Sequence, residues 1–516
     1  MLPELSPQPP SKAMPPQGQL QLQLPLPSTS ALLVQGGDHR IEIQPDSQIN
    51  KYGCQPFPAA DRIAFGSSTA SQISAQAFNA ADKLRDRIAA ALTEQSAVDI
   101  YHKEMARLRL ELAGLCGFTE SFSPDVIFAA SGTDAHLLAS HLVAAQARRA
   151  QRALRVIMVN PEESGSGVSA ALSGCNVDAD TLASAPGNQV MHVSIRHADG
   201  VPRSPEEIIA DVDLLSGAAL QSGLDVLLVL IDVSKTGCVA PDPQFARALR
   251  QRWPERLHVL VDACQFRMEA ATLRAYLQQD FMVAMTGSKF IGGPSFSAAL
   301  LIPQSIAASM RPAGVPAQLN GHCAQEEWPA GWHVEKTLAS GANIGLLLRW
   351  EAALCELRAL QAVPGKQIRK FLQDFGAAVQ HRLRSDPHFQ ALAAPELPKR
   401  AAGLVPEWDD LQSIHAFTLH RRLPQPGALN KPEVADVYRR LQQTRHVDGY
   451  IYSVGQPVAC GNRENVELCA LRLCVSAGMI VQACAGSSDQ NDQTTEMLIA
   501  SAMACFDAIV ALIALS

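Results

Sequence analysis

Seven short apolar runs, interleaved with stretches of helical spacing, recur between residues 125 and 303. They are DVIFAA (125–130), RVIMVN (155–160), QVMHVSI (189–195), DVLLVLIDV (225–233), LHVLVDA (257–263), FMVAMTG (281–287) and SAALLIP (297–303). Strands buried on both faces read as continuous apolar runs, and parallel strands need helical crossovers to join them. The pattern predicts an α/β fold: a mostly parallel seven-stranded sheet sandwiched by helices. With 516 residues, 47% of them hydrophobic, the chain has material for this core and a smaller second domain.

The flanks complete the organisation. Residues 1–44 are rich in Pro and Gln and show no useful period, which predicts a disordered tail. From about Ser71 to Leu115 the apolar residues Val98, Tyr101, Met105, Leu108 and Leu112 fall on one helical face. Residues 343–383 read as long helices interrupted at Pro364, and short strands mix with helices from about Asp386 onward. The expected division is a large domain over 45–340, then linking helices and a small α+β domain over 341–516. No internal repeat is visible.

Composition narrows the function classes. The formal net charge is -7 and no basic run is interleaved with aromatics, so nucleic acid is not an expected partner. The 12 cysteines form no CxxC pair and have no His-rich companion, so neither a bound metal nor a disulfide framework is expected. No basic segment leads into an apolar core at the amino terminus, and the apolar stretch from Ala500 to Leu515 is short and carries Asp507. A cytoplasmic protein with no membrane partner is the expectation.

Ligands of an open parallel sheet bind beyond the carboxyl ends of its strands, and four such ends are chemically loaded. Ser131, Gly132 and Thr133 follow the first run and open a helix, where free N–H groups and the dipole favour a phosphate; an ordinary capped turn has the same look. Asp262 ends the fifth run, where a buried acid needs a positive or hydrogen-bonding partner such as a protonated pyridine nitrogen; a helix N-cap is the plainer alternative. Lys289 follows the sixth run among Gly287, Ser288, Gly292 and Gly293, which leave room for a cofactor. Partial desolvation there favours the neutral amine and hence Schiff-base chemistry. Ser234 and Thr236 follow the fourth run with hydroxyls for a cofactor or substrate, or simply form a turn before Pro241.

The order of these motifs, SGT, SKTG, then Asp262 with Gln265 and Thr286 with Lys289, resembles the fold-type I pyridoxal 5′-phosphate (PLP) enzymes of the aspartate aminotransferase superfamily. Within it, the chain resembles the class V branch that contains serine-type aminotransferases and cysteine desulfurases. The resemblance covers about residues 50–516 and implies the PLP-dependent transferase fold, PLP as cofactor and a small amino acid as substrate. It implies that Gly132 and Thr133, with Ser131, hold the phosphate, that Asp262 pairs with the pyridine nitrogen and that Gln265 touches the phenolic oxygen. Thr286 would bond the phosphate and Lys289 would form the aldimine. Arg472, in LRLCVSAGMI, matches the family's RxS segment and would bind the substrate α-carboxylate, which suits a guanidinium fork. The branch usually has His before the lysine, where Ser288 stands, and a ring-stacking His, where Glu163 and Ser164 stand; His136 is a substitute for the latter. Active sites of the family form between subunits, so a homodimer is implied, with Ser340 and Asn343 at its interface.

Three functions follow as expectations. The first is an aminotransferase in which Lys289 moves the α-proton. The second is a PLP-dependent lyase, either a decarboxylase or a desulfurase using Cys460, whose reactivity would require a lowered thiol pKa. The third is a non-catalytic binding subunit of the same fold, which would be expected to lose Lys289 or Asp262.

Overall fold

The computed structural model describes residues 25–174, 188–422, 426–463 and 465–514. Its strands in chain order are β1 (Arg62–Phe65), β2 (Asp125–Ala129), β3 (Leu154–Val159), β4 (Gln189–Val193), β5 (Asp225–Asp232), β6 (Val239–Ala240), β7 (Leu257–Ala263), β8 (Met282–Thr286) and β9 (Ala298–Ile302). All seven apolar runs become strands of one sheet, in the order β2-β9-β8-β7-β5-β3-β4, with the two-residue β6 paired to β5. β9 runs antiparallel to both its neighbours, while β8, β7, β5, β3 and β4 pair in parallel.

Strand alternation divides the apolar side chains of this sheet between two cores. Val226, Leu228 and Leu230 of β5 join Val259 and Val261 of β7 on one face. Leu227, Val229 and Leu260 face the other core, beside Leu138 and Leu142 of the Gly132–Arg149 helix. Asp262 has the parity of Leu260 and therefore points toward that helix, which is what lets it meet His136.

Four further strands and one short pairing segment follow: β10 (Phe389–Ala391), β11 (Ile414–Arg421), β12 (Gly427–Ala428), β13 (Ile451–Arg463) and β14 (Val466–Cys474). The second sheet has the order β1-β13-β14-β11-β10, with β12 on β11. β1 pairs in parallel with β13, Arg62 opposite Ile451 through Phe65 opposite Val454. The boundary expected at 340 therefore divides the sequence but not the structure, since residues near 62 complete the small domain's sheet.

Helices confirm the periodicity with two differences. The segment 71–115 is two helices, Ala75–Ala91 and Ala97–Leu115, because Ser96 accepts from Asp99 N and starts the second. The apolar carboxyl-terminal stretch is part of a 26-residue helix, Ser488–Ile513, longer than its apolar run suggested and long and apolar enough by length and composition to cross a membrane. Its Ala502, Cys505, Phe506 and Ile509 are buried in the small domain's core against Phe417 and Phe389.

The expected tail requires a correction. Residues 1–24 lie outside the described residues, but 25–44 are folded onto the large domain, with a Thr29–Leu33 helix and buried Leu26, Leu32, Leu33 and Ile41. The cause is Arg349, fully buried in the Ile344–Gln361 helix, whose guanidinium donates to Leu33 O (3.1 Å), Gln35 O (2.6 Å) and Gly36 O (3.1 Å). Asn343 Nδ2 adds a bond to Gly36 O at 2.9 Å, and Ser340 Oγ bonds Glu326 Oε1 at 2.5 Å, so both residues expected at a dimer interface have partners within the chain.

Candidate active site

Lys289 lies three positions beyond β8 and Asp262 is the penultimate residue of β7, and these strands are neighbours, with Asp262 opposite Ala284. Both side chains line one cavity of about 330 Å³. Ser131, Gly132, Thr133, Gln265, Thr286 and Arg472 line the same cavity. Eight of the nine site residues expected from sequence thus meet in space.

Asp262 is 5% exposed and fully engaged. Its Oδ1 accepts from Cys264 N at 3.2 Å, and its Oδ2 accepts from Ser164 Oγ at 3.2 Å and lies 3.5 Å from His136 Nε2. His136 Nδ1 is 2.7 Å from Gly132 O, an acceptor, so the ring faces an acceptor at each end and favours the doubly protonated form. Burial opposes that charge, yet the Asp262 carboxylate raises the His136 pKa above its ordinary value. Burial likewise works against the Asp262 carboxylate, but His136, and then Lys289, hold it well below the usual carboxylate range. His136 therefore supports Asp262 and is not among the residues that line the cavity.

At the opposite end the Gly132–Arg149 helix begins. Ser131 caps it in a reciprocal capping box with Asp134, donating Oγ to Asp134 Oδ2 at 2.7 Å, so its hydroxyl proton is already used. The N–H groups of Gly132 and Thr133, in the first turn, have no intrahelical acceptor. A Cβ on Gly132 would stand 2.7 Å from Cys264 Sγ, which explains the glycine in the motif. Arg40 completes this end, with Nη1 3.3 Å from Thr133 Oγ1 and Nη2 3.4 Å from Ser131 Oγ, while Asp38 holds its Nε at 2.9 Å.

Several expected roles change. Ser234 does not line the cavity: it is buried and donates Oγ to Glu163 Oε2 at 2.8 Å, while its neighbour Lys235, in the turn after β5, lines the cavity instead. Thr286 lines the cavity, but its hydroxyl proton is donated to Cys264 O at 2.7 Å. Gln265 also lines it, with one amide hydrogen donated to Ser68 O at 2.9 Å. Gly287 and Gly293 are small because Ala353 crosses over them, a Cβ on either meeting the Ala353 Cβ within 2.6 Å, and not to leave room for a ligand. Cys460 lies outside the cavity lining, in an apolar cluster with Ala416 and Ala470, donating to Leu468 O, and burial pushes its thiol up to about 12. It has neither the location nor the thiolate character of a sulfur acceptor.

Arg472, on β14 and 2% exposed, is held by Nη2 bonds to Gln456 O (2.6 Å) and Thr69 Oγ1 (3.1 Å). Among the described residues its Nε and Nη1 have no hydrogen-bond partner. Buried donors left open on a guanidinium are costly, and an anion in the cavity would satisfy them. The group His136, Asp262 and Cys264 offers ligand atoms within 4.8 Å of one another. Burial and the Asp262 charge raise the Cys264 thiol well above its ordinary value.

Sequence reasoning missed Arg40 and Lys235. The cluster Asp38-His39-Arg40, followed by alternating Ile41 and Ile43, already departs from the Pro/Gln composition of the preceding residues. Lys235 was overlooked because its motif was read for hydroxyls.

No family model and no curated protein matches the chain. Among solved structures it is similar to the cystine C-S lyase C-DES in complex with its reaction product cysteine persulfide, at 15% identity and TM-score 0.51, over 86% of this chain and 97% of that one. It is similar to the cysteine desulfurase CsdA from Escherichia coli, at 15% identity and TM-score 0.48, over 86% and 94% of the two chains. It also resembles TDC from Oryza sativa with PLP, at 14% identity and TM-score 0.46, over 85% and 83%. The chain has the fold of PLP-dependent transferases.

Proposed function

We propose that the chain is a PLP-dependent enzyme acting on a small amino acid. The observation that carries this reading is the cavity shared by Lys289 and Asp262, with open anion donors at both ends. The residues present fit the cofactor. Gly132 N–H, Thr133 N–H and Arg40 suit its phosphate, the His136-supported Asp262 carboxylate suits a protonated pyridine nitrogen, and Lys289 suits its aldehyde. When bound, PLP supplies an electron sink for the bond being broken at the α-carbon.

The chain's own residues do the rest. Arg472 binds the α-carboxylate through Nε and Nη1 and orients the substrate. His136 and Ser164 keep Asp262 ionised and correctly aimed. Lys289 Nζ would take the substrate α-proton and hand it to a second carbon within the cavity. Moving a proton between two carbons requires no further group, which favours an aminotransferase as the first reading. A lyase is the second, supported by the fold shared with the cystine C-S lyase. With Cys460 buried away from the cavity, a lyase here would release its product without storing sulfur on that thiol.

Single-turnover mixing of the holoenzyme with amino acids tests this. An aminotransferase produces keto acid in stoichiometric amount when no acceptor is added. Ammonia, sulfide or carbon dioxide released over many turnovers would replace that reading with the lyase.

A further inference from the structure

Lys235 has no task in the account above. Its turn is rigid: Ser234 N donates to Cys238 O at 2.7 Å and Gly237 N to Ser234 O at 3.1 Å. The hydroxyls on either side, Ser234 and Thr236, both donate to Glu163. With its neighbours tied to one carboxylate, Lys235 turns into the cavity, its Nζ 3.3 Å from Pro161 O. Glu163 is not its dedicated counter-ion, because Arg196 Nε at 3.0 Å and the Ser234 and Thr236 donors already occupy both Glu163 oxygens.

The cavity therefore gathers more positive charge than the cofactor and an α-carboxylate need. Arg40 is matched by Asp38 and sits at the helix start. Arg472 presents donors for one carboxylate. Lys235 remains, with burial first, then the Arg472 and Lys289 charges, lowering its pKa to about 8 against the smaller opposing pull of Glu163 and Glu162. A cation kept among cations is stabilised when an anion joins it.

We infer that Lys235 binds a side-chain anion of the substrate, so that this site takes an amino acid with a second negative group beside its α-carboxylate. The inference rests on the PLP reading and names the substrate class for the same cavity. Lys235 is a specificity-determining residue on this view, distinct from the proton carrier Lys289.

Titration of the PLP-loaded protein with aspartate, asparagine, glutamate, glutamine, O-phosphoserine and serine, followed by visible absorbance, tests it. In the wild type at least one acid binds about tenfold or more tighter than its neutral counterpart, the scale of a charge-assisted hydrogen bond. Which acid does so separates carboxylate from phosphate. Lys235→Gln removes that preference while neutral amino acids bind within about threefold of wild type, and Lys235→Arg restores part of it. Because the preference is a ratio within one protein, loss of folded material does not imitate the result. Neutral isosteres binding as tightly as the acids, no saturable change with any of them, or an equal loss for acids and neutrals in Lys235→Gln overturns the inference. A protein that never takes up PLP overturns the cofactor reading, and this inference with it.

Discussion

Lys289→Ala is expected to lower turnover of any amino-acid substrate by about 10²–10⁴-fold, the range for loss of a positioned general acid-base group. Loss of the covalent anchor adds to this. The Lys289 side chain faces the cavity, and its local backbone is held by Ser71 Oγ donating to Lys289 O at 2.6 Å, a bond that survives the substitution. Circular dichroism and the unfolding midpoint should therefore match the wild type while activity falls. Steady-state rates of the reconstituted variant check the expectation; activity within a few-fold of wild type would remove Lys289 from the chemistry.

Arg400→Ala is expected to cost about 3–5 kcal/mol of stability, the scale for stripping one partner from a buried ion pair. Arg400 meets Asp232 with Nε–Oδ2 and Nη2–Oδ1 distances of 3.0 Å, and Tyr276 Oη donates to the same carboxylate at 2.6 Å. Burial acts against the Arg400 charge, but Asp232 holds its pKa above the ordinary value. Asp232 is completely buried at the end of β5, so alanine at 400 leaves an uncompensated carboxylate there. Val233 and Lys235, immediately beyond, line the cavity, so the variant should also weaken amino-acid binding. Urea unfolding measures the first effect. The double variant Arg400→Met, Asp232→Leu should recover most of the loss, because replacing both ions removes the desolvation cost.

The parts of this architecture legible in the sequence are those with a local cause. Six of the seven apolar runs are buried along their strands and the edge strand β4 only in part, yet each strand is readable from its own composition without knowledge of its neighbours. The Asp262 and Lys289 spacings fall at strand ends for the same reason. The pairing of β1 with β13 was not readable, because it joins residues almost 400 positions apart and leaves no periodic trace. Ser234 and Lys235 show a subtler limit: in the turn after β5 the bonds of Ser234 and Thr236 to Glu163, about 70 positions away, leave Lys235 facing the cavity. Arg40 was hidden because order in residues 25–44 comes from Arg349, whose guanidinium is more than 300 positions away in the chain.

The cavity contains two lysines, to which the proposed reading gives different tasks. Lys289 follows β8, the strand next to the one that carries Asp262, and both side chains line the cavity. Lys235 sits on the turn after β5 and lines the cavity together with Arg472.

Incubating the protein with PLP, reducing it with borohydride and mapping the modified peptide by mass spectrometry tests the central claim most directly. The account predicts a phosphopyridoxyl group on the peptide that contains Lys289, lost in Lys289→Ala. Stable modification of Lys235 in its place, or none at all, would contradict it.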